Sequence, residues 1–294
     1  MPFLGELSAL LTACLWSFGA LVFASATRRA GPVQVNVTRL LLALLYLAIL
    51  IPVAGFGISM SASQVTNLAI SGVIGLTLGD SFLFRAFHEL GARISMLVMS
   101  SAPAIGAILA FFMMGEAISI WGIVGILVTL AGVILVVSDP RKSEHASVSG
   151  TGLLFAFLAA AGQGAGLVFA KMAFAEGEIN GFVATFVRVG ASLVFLVPAT
   201  FLMRQVVSPM AFYRRDRKGF GLTALGAVLG PFLGIAFSLI AVKHTSVGVA
   251  ATIMATVPII MLPIVHFVYK EKLTLRAIAG AIVAVGGVAI LFLR

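Results

Sequence analysis

One long stretch occurs twice in this chain, which restricts it to folds built from two related halves. Shifting the sequence by 155 positions lays Gly75 on Gly230, Gly79 on Gly234, Met99 on Met254 and Pro103 on Pro258. The same shift pairs Phe112 with Phe267, Glu116 with Glu271, Gly125 with Gly280 and Gly132 with Gly287, without a gap. Five of these eight pairs are glycine or proline, and these residues fix backbone geometry, so the copies share a structure as well as an origin.

Composition decides the solvent of that repeat. Of 294 residues, 61% are hydrophobic and 10% charged, where a soluble domain carries about 25% charged residues. The apolar residues fall in runs of bilayer-spanning length, which predicts an all-α integral membrane protein. The runs predict ten transmembrane helices: 4–26, 33–54, 64–88, 93–114 and 119–138, then 151–174, 180–203, 219–241, 246–269 and 274–293. The halves are therefore residues 1–138 and 151–294, joined by a polar linker at 139–150. Outside the shift of 155, LVFA recurs at 21–24 and 167–170, and an arginine followed by an apolar run recurs at Arg39 and Arg188. Five is odd, so two five-span halves enter the membrane from opposite sides and form an inverted repeat, with the site expected between them.

The net charge of +9 comes without aromatic–basic interleaving, which argues against nucleic acid as a partner. Alternate connections instead place fourteen Lys and Arg on one face and three on the other. The positive-inside rule then puts the 139–150 linker in the cytoplasm and both termini outside, in a cell membrane of the bacterial inner-membrane type. The first helix lacks a basic leader and a small-residue cleavage site, so it is expected to be a retained span. A single cysteine, Cys14, excludes a disulfide framework.

Arg39 and Arg188 lie about two turns inside their spans, where an arginine costs about 1–3 kcal/mol even on lenient scales. Each must snorkel to the headgroups, pair with an acid, or face a wet cavity and offer its fork to a carboxylate or phosphate. Asp80 is the one carboxylate deep in a span. It reads either as a partner for Arg39 or Arg85, or as a site for a proton or a cationic substrate. Trp16, Gln163 and His266 are further candidate substrate contacts, though each also reads as a locally satisfied packing residue. Pro103 and Pro258 fall mid-span, with Pro263 close behind the second, and predict kinks that serve either packing or gating. The small residues Gly125 and Gly132, and Gly280 and Gly287, predict close helix packing, either within the molecule or across a homodimer. Monomer and homodimer both stay open.

There is no Gly-rich phosphate loop, no HExxH and no Cys/His spacing for a metal, so no cofactor, metal or catalytic residue is implied. The series Pro103, Gly115–Glu116, Gly125 and Ala131–Gly132, with its second copy Pro258, Glu271, Gly280 and Gly286–Gly287, resembles the drug/metabolite transporter superfamily in its ten-helix EamA-type branch. Trp16 with Gly19, and Arg39, also resemble that pattern. The second copy departs from it at Lys270, where glycine is usual, and at Gln163, where an aromatic residue often stands. The resemblance implies a non-enzymatic secondary transporter that exports amino acids, related metabolites or drugs, often proton-coupled. Two alternatives stand beside it: efflux of lipophilic cations on Asp80, and a non-catalytic membrane partner subunit of a lipid-modifying or export complex.

Overall fold

The structure, a computed structural model, describes residues 3–115, 117–137, 149–205, 208–245, 247–270 and 273–292. Most of the predicted linker, and Glu116 and Glu271, lie outside the described residues. The first half holds α1 (Leu4–Ala30), α2 (Pro32–Val53), α3 (Ala62–Gly72), α4 (Asp80–Met99), α5 (Ala102–Met114) and α6 (Ile120–Val137). The second holds α7 (Gly150–Ala175), α8 (Gly181–Leu202), a short α9 (Pro209–Arg215), α10 (Arg217–Ala227), α11 (Leu233–His244), α12 (Val247–Met254), α13 (Val257–Tyr269) and α14 (Leu275–Phe292). No strand occurs among the described residues. Among the described residues, seven helices are long and apolar enough to cross a bilayer, one of them the continuous run 62–99, and three shorter apolar helices accompany them. Large side chains such as Leu45, Ile49, Phe112, Leu127, Val194 and Phe201 are exposed, as expected of a surface solvated by lipid.

The sequence repeat reappears as a repeat of helix ends. A shift of 155 carries the bounds of α3, α5 and α6 onto those of α10, α13 and α14, and a shift of 149 carries α2 onto α8. The predicted third and fourth spans join in one run, interrupted by Gly91 at φ 77° and ψ 172°. Positive φ is open to glycine at little cost, so one residue serves as the turn. Lys270 closes α13 at φ 55°, as Gly115 closes α5 at φ 68°, so the departure from glycine keeps the left-handed cap and bears the strain of a side chain there.

Pro103 and Pro258 each sit in the first turn of a new helix rather than mid-helix. The preceding residues form tight turns, with Ser101 donating to the Val98 carbonyl at 3.0 Å and Thr256 to the Ile253 carbonyl at 3.1 Å. A proline in the first turn lacks only an N–H that had no helical partner, so the break comes just before it. Pro263 lies within α13 on an exposed face.

The halves interlock. The first helix of each half reaches into the other: α1 packs on α10 to α13 as well as on α2 and α4 of its own half, and α7 packs on α3, α4 and α5. On one side the Arg29 guanidinium grips Asp216, the N-cap of α10, with bonds of 2.7 and 2.8 Å. That grip holds the Asp216 carboxyl down at about 2, helped by the Gly219 N–H. At the equivalent position of the other half, Ser61 caps α3 and donates to Glu176 beyond the end of α7 at 3.1 Å.

The last helices, α6 and α14, meet backbone to backbone. A Cβ on Gly132 would lie 2.3 Å from the Ala284 nitrogen, and one on Gly287 would lie 2.3 Å from the Thr129 nitrogen. A Cβ on Gly125 would lie 2.6 Å from the Gly287 carbonyl oxygen, and one on Gly280 would lie 2.8 Å from that of Gly132. These predicted seams are thus filled inside one molecule. Gly287→Ala must push the two helices apart, at about 1–3 kcal/mol or more, which corresponds to a Tm roughly 5 °C lower. Gly286, with nothing within 4 Å of its absent Cβ, provides the control: Gly286→Ala should leave the Tm of the purified protein in place.

Candidate functional site

A cavity of about 220 Å³ lies where the interlocked helices converge. Its wall includes both helix breaks, through Met99, Ser100 and Pro103 on one side and Met254, Ala255 and Pro258 on the other. Arg39, Asp80, Arg188, Gln163 and Trp16 also line it, so the cavity draws on both halves. The walls are otherwise apolar, with Phe23, Phe84 and Phe87 prominent.

Asp80 owes its place to an unusual backbone. The chain from α3 to α4 runs through a π-helical segment, Val73–Gly79, closed by the Asp80 N–H on the Gly75 carbonyl. The second half carries its counterpart at Val228–Phe232. Single π-turns inside α-helices often mark functional sites, because the extra residue redirects the side chains that follow. Glycines let α7 approach this segment: a Cβ on Gly162 would lie 2.8 Å from Gly79 Cα, and one on Gly166 would lie 3.1 Å from Gly75 Cα. That approach delivers Gln163 from the second half, and its Nε2 donates to Asp80 Oδ1 at 2.7 Å.

The other Asp80 oxygen takes a hydrogen bond and an ion pair from Arg39 Nη2. Arg39 Nε donates to Asn36 Oδ1 at 3.0 Å, and Asn36 Nδ2 donates to Ser81 Oγ at 3.1 Å. The guanidinium carbon also stands 4.6 Å from the Phe84 ring centre and 5.3 Å from that of Phe23, within cation–π range. Arg39 is therefore paired, stacked and only 4% exposed. Arg85 lies over Phe155 instead.

Arg188 is the counterpart of Arg39, each being the eighth residue of its helix, and its surroundings differ. It is 5% exposed, so neither arginine snorkels. Its Nε is the one buried side-chain nitrogen or oxygen without a hydrogen-bond partner among the described residues. Gly72 allows α3 to cross at this point, since a Cβ there would lie 2.1 Å from the Arg188 carbonyl oxygen. The position equivalent to Asp80 is Ile235, which leaves Arg188 without the acid that Arg39 has.

Of the other predicted contacts, Trp16 lines the cavity, with its Nε1 so close to Gly234 that a Cβ there would sit 2.5 Å away. His266 does not line it; its ring is exposed and meets Phe267 edge-on at 5.0 Å. Sequence reasoning missed Asn36, Phe23 and Phe84. Asn36 had a signal, being three residues before Arg39 on one helix face; the two phenylalanines had none among 23. Among the described residues there is no cluster of His, Cys, Asp and Glu that could hold a metal.

No curated protein matches the sequence. In fold, 27 solved chains match. One of them, a crystal structure described only as that of a protein, superposes with a TM-score of 0.65 over 98% of this chain and 96% of its own, at 19% identity. The model of the EamA-like transporter family matches residues 3–138 and 150–293, one match on each half. With both halves matched and a multi-pass apolar architecture built from them, the chain belongs to the EamA-like transporter family.

Proposed function

We propose that the protein is a secondary active transporter, an exporter of small polar metabolites of amino-acid size, working by alternating access between its two inverted halves. The observation that carries this reading is Arg188, a buried cation in an inter-half cavity with no acid bonded to it, since Asp80 on the same wall is held by Arg39. A buried charge is tolerated when a partner arrives to neutralise it, and an anionic substrate group is such a partner. The cavity volume of about 220 Å³ is below the ~300–1,000 Å³ typical of drug-sized sites, which favours a small metabolite over a drug. Cation efflux on Asp80 would need a free carboxylate, and both Asp80 oxygens are engaged. The same pair offers a route for proton coupling: a proton on Asp80 would neutralise the acid and leave Arg39 as a second positive charge on the cavity wall. This reading has ten crossings, with each broken helix completing a span and both termini outside a bacterial-type inner membrane.

The test is reconstitution. Proteoliposomes loaded with a pool of labelled amino acids and small organic acids should show saturable counterflow, accelerated by a proton gradient. No movement of any pooled metabolite, together with co-purification of a second subunit, would favour the partner-subunit alternative.

A further inference from the structure

We infer that the cavity selects a monocarboxylate with an apolar body and no amine, so that within the proposed transporter reading the substrates are organic acids rather than amino acids. Arg39 and Asp80 neutralise each other, and Asp80 is the only acid among the described lining residues. Arg188 therefore leaves the empty cavity with one net positive charge. A monocarboxylate brings that charge to zero, whereas a zwitterion leaves it unchanged, and low-dielectric interiors penalise any charge left over.

The one acid among the described lining residues is also already committed. The Asp80 oxygens already hold Arg39 and Gln163. Donors for a carboxylate are in surplus, since Arg188 Nε has no partner. Much of the rest of the wall is aromatic and thioether surface from Trp16, Phe23, Phe84, Phe87, Met96 and Met254, suited to an apolar body.

The experiment keeps the carbon skeleton constant and changes only the charged groups. Purified protein is titrated with 3-phenylpropanoate, phenylalanine and phenethylamine, and in a smaller series with 4-methylpentanoate, leucine and 3-methylbutylamine. Binding is read by calorimetry and by thermal stabilisation, and labelled probes are followed across proteoliposomes. In at least one series the acid should bind at least about tenfold more tightly than the amino acid, with no binding of the amine. Arg188→Gln should abolish that preference. Binding of the acids without flux supports the ligand class and removes the transporter reading. Flux of the amino acids with equal or weaker binding of the acids overturns the ligand class and leaves the transporter reading standing; it would put the ammonium on backbone carbonyls at the helix breaks. Failure of both acids to bind overturns it as well.

Discussion

Asp80→Asn should cost the folded protein about 3–5 kcal/mol, the usual result of removing one partner of a buried ion pair. The substitution changes little in shape and keeps an acceptor for Gln163, so the loss is electrostatic. Arg39, 4% exposed and fixed by Asn36 and two phenylalanine rings, cannot reach water to recover its hydration. Through Gln163 the pair also joins the two halves, so its failure loosens their interface as well as one helix. In detergent this should appear as a Tm lower by on the order of 10 °C. Arg39→Met added to Asp80→Asn should restore most of it, because methionine keeps the contact with Phe23 and Phe84 while removing the orphaned charge. A double variant no more stable than Asp80→Asn alone would rule out the ion pair as the cause.

The same neighbourhood marks how far the sequence could be read. Glycine and proline legislate backbone geometry locally: Gly125 and Gly132 lie at a close helix crossing, while Pro103 and Pro258, expected as mid-span kinks, stand in the first turn after a break. The halves were legible because helix ends repeat wherever those residues repeat. The exchange of α1 and α7 between the halves was not legible. It depends on which apolar faces match across the molecule, and in a chain apolar on nearly every face the sequence carries no such contrast. The meeting of Gln163 with Asp80 follows from that exchange and was hidden with it. The π-helical turns before Asp80 and Leu233 were equally silent, since no residue pattern distinguishes a π-turn from the α-helix around it. Sequence reasoning could state that Arg39 and Arg188 each needed a partner, but not that only one has it.

Arg188→Met should have the opposite signature to Asp80→Asn. Removing an unpaired buried cation relieves its desolvation penalty, so the empty protein should keep its Tm or gain a few degrees, in line with the ~1–4 kcal/mol often recovered when buried charges give way to apolar groups. Transport should nonetheless fall by ~30-fold or more, the consequence of deleting one side of a buried charge pair worth about 2–5 kcal/mol in the loaded state. Arg188→Lys should recover only part of the flux, because an ammonium group lacks the planar fork that meets both oxygens of a carboxylate. The comparison is controlled by the molecule itself, since Arg39 and Arg188 hold the same position in their two halves and differ in whether an acid is bonded to them. A structural arginine and a ligand-binding one then part by sign: loss of the first pair lowers stability, while loss of the second spares stability and removes function. A large drop in Tm for Arg188→Met would place Arg188 with the structural charges and end the case for it as the substrate's partner.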